Sequence, residues 1–359
     1  MFSLRNKKLA DDILFRIERA QVHLRFMHVC GTHQDTLVKH GLDRVLQNHG
    51  VEIGQGPGCP VCVTTPKEIE EILLLAQKGK TIATFGDMIR VPGVSSSLQQ
   101  MKTEGCDVRT VYSIEDAVAL AQKHKGKEVV FMAVGFETTA PTTASVLLRD
   151  LPSNFSVLCC HRLIPPALQA ILEMGERKID GFIEPGHVST IIGTKPYEFI
   201  SKDYGVPQVI AGFEPLDLLM GVWMLVRQIQ QGKSEVENEY ARAVKPEGNR
   251  KAQQILTQVF EPVDVKWRGF PLIPRSGLRL RKKYESYDAG KKYEKDLGMF
   301  TEEEFPEPIG CLCGEVLRGL ISSTQCPLFG RECTPETPVG PCMVSSEGNC
   351  QIQYRYKNK

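Results

Sequence analysis

Glu128-Val129-Val130-Phe131-Met132-Ala133-Val134, running on into Gly135-Phe136-Glu137-Thr138-Thr139-Ala140-Pro141, is the stretch that decides the fold. Its first half is an apolar run of strand length; its second is a polar loop opened by glycine that leads into a helix. The same order recurs on both sides. A strand at 23–29 ends in Cys30-Gly31-Thr32-His33 and enters a helix through about Gln47. Val51–Gln55 ends in Gly56-Pro57-Gly58-Cys59-Pro60-Val61-Cys62, and Thr65-Pro66 followed by Glu68 reads as a helix cap. Strands at 81–85, 107–112, 155–160, 179–183 and 207–211 follow, the last two ending in Glu184-Pro185-Gly186-His187 and Gly212-Phe213-Glu214-Pro215. Strand, polar loop and helix alternate, so the class is α/β with parallel sheets. An amphipathic helix at 4–20, carrying Leu9, Ile13 and Ile17, precedes the first strand, and helix-like stretches lie at 235–244 and 250–260. We expect an α/β domain over 1–112, a second over 113–230, and a helical linker with a loop-rich cysteine domain over 231–359.

The totals exclude several function classes. A chain of 359 residues with 42% hydrophobic and 24% charged residues is an ordinary globular composition, and a formal charge of +1 offers nucleic acid no global attraction. The basic run at 275–292 reads as a solvated face. No apolar run approaches the ~20 residues of a membrane span. Charges interrupt the first twenty positions where a secretory leader needs an apolar stretch, which predicts a cytoplasmic protein with no membrane partner. Persistent structural disulfides are rare there, so twelve cysteines argue for metal binding or redox chemistry.

Half of those twelve cysteines fall in the last fifty residues: Cys311, Cys313, Cys326, Cys333, Cys342 and Cys350. Each sits near Gly or Pro in turn-forming backbone. Thiolates on several separate turns suit a 4Fe-4S cluster, with one sulfur at each iron corner; zinc, which favours paired knuckles, and disulfides are the rivals. Six thiols exceed four ligands, leaving two as a redox pair beside the cluster. Ligands of open α/β sheets bind outside the carboxyl ends of the strands. Cys30 with His33, the Cys59/Cys62 pair, Glu137 and His187 all lie at such ends. Cys59-x-x-Cys62 has dithiol spacing, just ahead of a helix N-terminus that favours thiolates. Glu137 is read as a general acid or base, a partner to a metal ligand, or a surface carboxylate; His187 as a site residue or an ordinary loop histidine. Cys106, Cys159 and Cys160 read as packing.

Taken together, the chain resembles the hydrogenase maturation family HypD. The resemblance rests on Met27-His28-Val29-Cys30-Gly31-Thr32-His33, Gly56 to Cys62, Gly135 to Thr139, Pro185-Gly186-His187-Val188-Ser189, Ala211 to Asp217, Trp267-Arg268-Gly269, Cys313-Gly314-Glu315-Val316-Leu317 and Met343 to Gly348, and it covers nearly the whole chain. It implies an assembly scaffold for the Fe(CN)2CO unit of NiFe hydrogenases rather than a conventional turnover enzyme. It also implies a HypC-type small chaperone and a HypE-type cyanide donor as partners, the hydrogenase large subunit indirectly, two α/β domains around a cleft, and a 4Fe-4S domain. By position, Cys30 is the thiolate that holds the iron, with His33 beside it, and Cys59/Cys62 are the redox pair of the cleft. Cys311, Cys326, Cys333 and Cys342 are chosen for the cluster, with Cys313 and Cys350 as the adjacent pair. A 4Fe-4S-dependent reductase of protein disulfides is the alternative from another class.

Overall fold

A computed structural model describes residues 6–176, 178–300 and 305–356. Its strands are β1 (Leu24–His28), β2 (Val51–Gln55), β3 (Thr81–Thr84), β4 (Val108–Thr110), β5 (Val129–Gly135), β6 (Phe155–His161), β7 (Gly181–Pro185), β8 (Gln208–Ala211), β9 (Val236–Asn238), β10 (Phe260–Lys266) and β11 (Leu272–Leu280). The deciding stretch forms β5, buried along its whole length, and then a helix over Ala140–Leu147.

Two parallel sheets result, one of five strands in the order β2-β1-β7-β8-β9 and one of four in the order β4-β3-β5-β6. The class is therefore α/β with parallel sheets, as expected. The sheets do not follow the sequential partition at 112/113. The chain lays down β1 and β2 in the first sheet, leaves to build the whole second sheet, and returns with β7 to β9. The pairing that closes this excursion is β1 with β7, in the register Phe26 to Gly181 and His28 to Ile183. A parallel neighbour reached by a long crossover leaves no mark in local sequence pattern.

Side chains from the facing sides of both sheets, among them Met27, Phe182, Ile82, Val130 and Met132, share one core with Cys59, Cys62, Cys313, Cys342 and Cys350. The outer faces are covered separately. Helices Lys7–Arg19 and Pro215–Gln230 pack on the five-stranded sheet, with Ile13 and Ile17 buried and Leu9 left exposed. The expected start of the first helix, at residue 4, lies outside the described residues. Residues 235–244 are not helical: β9 forms there as the last strand of its sheet, followed by turns. The helix Arg250–Val259 does form, capped by Asn249. β10 and β11 make an antiparallel ribbon joined to the four-stranded sheet by a bridge between Arg162 and Gly277. The basic run begins inside β11, where Arg275 is exposed next to exposed Pro274 and Arg279 is exposed between buried Leu278 and Leu280, and Tyr284 beyond it is buried. Beyond residue 305 the chain is loops and turns with two short helices, Cys313–Leu317 and Pro341–Val344, up to the helix Asn349–Tyr356. No helix among the described residues is long and apolar enough to cross a membrane.

Candidate functional site

Each sheet has a point where successive strands move outward in opposite directions, and crevices open at the carboxyl ends of such strands. In the five-stranded sheet this point lies between β1 and β7. Cys30 and His33 follow β1, and His187 follows β7. In the four-stranded sheet it lies between β3 and β5, where a cavity of about 460 Å³ is lined by Phe85, Gly135, Thr138, Thr139, Pro60 and Glu347, among others. The C-terminal segment joins the two places, because a Cβ added to Gly31 would lie 2.5 Å from the Cβ of Glu347.

The turns after β1 and β2 interlock. Gly31 N–H donates to the Gly58 carbonyl at 3.2 Å, and a Cβ on Gly58 would lie 2.2 Å from the Cys30 nitrogen. Only glycine permits that approach. Cys30 is the N-cap of the helix Gly31–Lys39, with its sulfur facing donors at Thr32 and His33. Burial nonetheless pushes its thiol up to about 12, against those hydrogen bonds. It stays protonated at neutral pH unless a cation displaces the proton.

His33 is fully buried. Its Nε2–H donates to the carbonyls of Ala211 at 3.2 Å and Gly212 at 3.0 Å. That fixes the tautomer, so Nδ1 carries the lone pair, buried and without a partner. Burial brings its pKa down to about 3. The ring lies 5.2 Å from Phe213, which stacks at 3.8 Å on the exposed His187. Phe213 thus links His33 with His187 across the switch point. His28 is held neutral as well, at about 4 through burial, with Nε2 2.9 Å from Gln34 Oε1.

Cys59 and Cys62 form a disulfide, with Cα atoms 5.2 Å apart. Cys59 caps the four-residue helix Pro60–Val63, and Cys62 N–H donates to its sulfur at 3.2 Å. Both residues are buried. Thr65 and Glu68 then form the expected capping box at the next helix. The disulfide touches the cysteine array through one turn: Cys62 Sγ is 4.0 Å from the Pro341 carbonyl oxygen. The preceding Gly340 packs on Cys311 and Cys313, whose sulfurs would lie 2.5 Å and 2.7 Å from an added Cβ.

Glu137 is buried behind these turns. Its Oε1 accepts from Ile164 N–H at 2.9 Å, Oε2 has no partner, and burial pushes the carboxyl up to about 7. Glu184, inside β7, was not singled out from sequence. It is fully buried with neither oxygen partnered, and its pKa is driven well up by burial and then by the charge of Glu137. Tyr197 lies in the field of both carboxyls and of Cys30, and its hydroxyl is 3.2 Å from Ser189 Oγ. The available sign was a carboxylate at the end of an apolar strand. Of the cysteines read as packing, Cys160 is buried, Cys159 donates to the Leu278 carbonyl at 3.1 Å, and Cys106 is half-buried.

In the C-terminal segment a small, largely apolar cavity is lined by Cys311, Cys313, Cys326, Cys333 and Cys350. Cys342 is not part of that lining. It is fully buried, its thiol in hydrogen-bonding contact with those of Cys313 and Cys350. Hydrogen bonds from Cys313 and then Cys342 pull Cys350 down to about 5, while the same kind of contact with Cys313 pushes Cys311 up. Among the described residues no three His, Cys, Asp or Glu side chains converge on a single-ion position. A cubane spreads its ligands over separate iron corners, and several thiols from different turns around an apolar cavity fit that requirement.

These features define a class: an α/β protein with two parallel sheets, a buried thiol at a switch point, and a buried disulfide backed by a cysteine-lined cavity. The model of the HypD family, described as "Hydrogenase formation hypA family", matches residues 6–357. A Methanocaldococcus jannaschii relative, named after hydrogenase expression and formation, is 49% identical over 98% of this chain and 97% of its own length. The hydrogenase maturation factors HypD of Escherichia coli and Cupriavidus necator are each 45% identical, over 98% and 92% of this chain and 94% and 89% of their own lengths. This chain belongs to the HypD family.

Proposed function

We propose that this protein is a hydrogenase maturation factor, a cytoplasmic scaffold on which the Fe(CN)2CO unit of NiFe hydrogenases is assembled before it passes to the large subunit. A HypC-type chaperone and a HypE-type cyanide donor are its partners in this reading. The observation that carries it is the placement of Cys30 at the switch point, between the His33 ring and the turn of the Cys59–Cys62 disulfide. Cys30 is the sulfur that takes the iron cargo, and helix N-terminal donors stabilise it once it is a thiolate. His33 presents an unpaired Nδ1 within the same turn.

The resident cofactor in this reading is a 4Fe-4S cluster held by Cys311, Cys326 and Cys333, with Cys350 as the fourth ligand. Cys350 replaces Cys342 because it lines the cavity and Cys342 does not. Cys313 and Cys342, in mutual contact, become the adjacent thiol pair. A cluster supplies single electrons, and Cys59/Cys62 hold or release a pair. The alternative, a reductase of protein disulfides, fares worse. A protein substrate has no access to sulfurs as deeply buried as those of Cys59 and Cys62.

The test is infrared spectroscopy of anaerobic protein purified with its chaperone. Cys30→Ser is expected to abolish the CN and CO bands while leaving the cluster absorbance unchanged. His33→Ala is expected to weaken them ~10 to 100-fold, as changes next to a metal ligand do. Full-intensity bands in Cys30→Ser refute the assignment.

A further inference from the structure

Trp267-Arg268-Gly269, the turn after β10, has no part in the chemistry above, yet it is wedged between the disulfide turn and the cysteine array. Arg268 N–H donates to the Val63 carbonyl at 2.9 Å, and Arg268 Nε–H donates to the Thr64 carbonyl, also at 2.9 Å. Both carbonyls lie immediately beyond Cys62. On the other side Gly269, at φ +78°, approaches the segment after Cys313 so closely that an added Cβ would lie 2.3 Å from the Gly314 Cα. Trp267 anchors the turn, its Nε1–H donating to Ser276 Oγ at 2.9 Å and its ring stacked on Phe136.

The guanidinium is 1% exposed. Nη1 is paired with Glu307, whereas Nη2 is buried with no partner. An unpaired buried guanidinium nitrogen costs free energy unless an acceptor completes it. One buried cation therefore holds the end of the disulfide turn by its backbone and stands one residue from the contact between Gly269 and the segment after Cys313.

We propose that Arg268 is a positioning residue that sets the electron affinity of the C-terminal cluster and keeps the Cys59–Cys62 turn in register with it. This rests on the cluster reading given above. Positive charge and N–H donors near cluster sulfur stabilise the reduced, more negative state and raise its potential. A residue that merely packed the turn would change loading or stability without displacing the potential of protein that loads fully.

The experiment is an anaerobic redox titration of the full chain, followed by electron paramagnetic resonance, with iron and acid-labile sulfide measured on the same samples. Arg268→Gln is expected to keep wild-type iron and sulfide while its reduction equilibrium falls ~10-fold, which is ~59 mV to the negative for one electron. Arg268→Lys keeps the charge but loses the planar fork, and its equilibrium is expected to fall ~3-fold. Fully loaded Arg268→Gln with the wild-type midpoint overturns the inference. If Arg268→Gln does not load, Arg268→Lys decides, and an unchanged midpoint there overturns it equally. Wild-type protein without iron and sulfide overturns the cluster reading instead, and this inference falls with it.

Discussion

Replacing Glu137 by Gln isolates the electrostatic cost of the buried carboxyl in the turn after β5. In the native protein Glu137 is 3% exposed and has one oxygen without a partner. Burial raises its pKa from 4.5 to about 7. Below 4.5 the native and unfolded chains both carry the proton, and burial costs no charge. Between 4.5 and about 7 the unfolded chain ionises while the native protein keeps its proton, so native stability falls as pH rises. Above about 7 both forms are ionised and the penalty is constant. At ~1.4 kcal/mol for each pH unit of separation, the whole penalty is ~3 kcal/mol. The glutamine amide can still accept from Ile164 N–H and does not titrate, so its own unpaired group adds only an offset independent of pH. Urea unfolding of both proteins, followed by pulse proteolysis under anaerobic conditions from about pH 4.5 to about pH 8, measures the difference. Titrating groups outside the field of Glu137, such as His28, cancel in that difference, and relief of the Glu184 carboxyl from that field acts with the same sign. The stability of Glu137→Gln relative to wild type is expected to climb by ~3 kcal/mol up to about pH 7 and then stay level. A difference that is flat across this window, or that shrinks as pH rises, refutes the reasoning.

Two further outcomes test the supports around the site. Arg162 is 3% exposed, its Nη2 2.7 Å from each oxygen of Glu68, the residue that closes the capping box after the disulfide turn. Arg162→Met leaves that carboxylate without its counter-charge, held only by its Thr65 hydrogen bonds, and is expected to cost ~3 kcal/mol in the same urea assay, with Arg162→Met/Glu68→Gln recovering more than half. Equal losses in the single and double variants count against a paired role. Gly340→Ala drives a methyl group to within 2.7 Å of the sulfurs of Cys311 and Cys313. Bound iron and sulfide are expected to fall ~10-fold while circular dichroism is unchanged; wild-type loading counts against the proposed cavity.

What the sequence determined by itself is what short-range physics controls. The apolar run of β5 and its glycine-opened loop, the capping box at Thr65 and Glu68, and the placement of Cys30, Cys59, Cys62, Glu137 and His187 at strand ends were all legible. Each depends on propensity and period within about ten residues. The density of C-terminal cysteines was legible too. The choice of strand neighbours was not, because β1 and β7 are brought together by the burial of two whole sheets and not by any signal in either strand. That pairing puts the carbonyls of Ala211 and Gly212 against a histidine 178 and 179 residues earlier, and so decides which nitrogen of His33 is free. The same tertiary packing brings Tyr197 into the field of Glu184, Glu137 and Cys30, separates Cys342 from the cavity that Cys350 lines, and sets Arg268 between the disulfide and the array. Hydrogen bonds and charges between distant segments have no period in the chain, so only the folded structure specifies them.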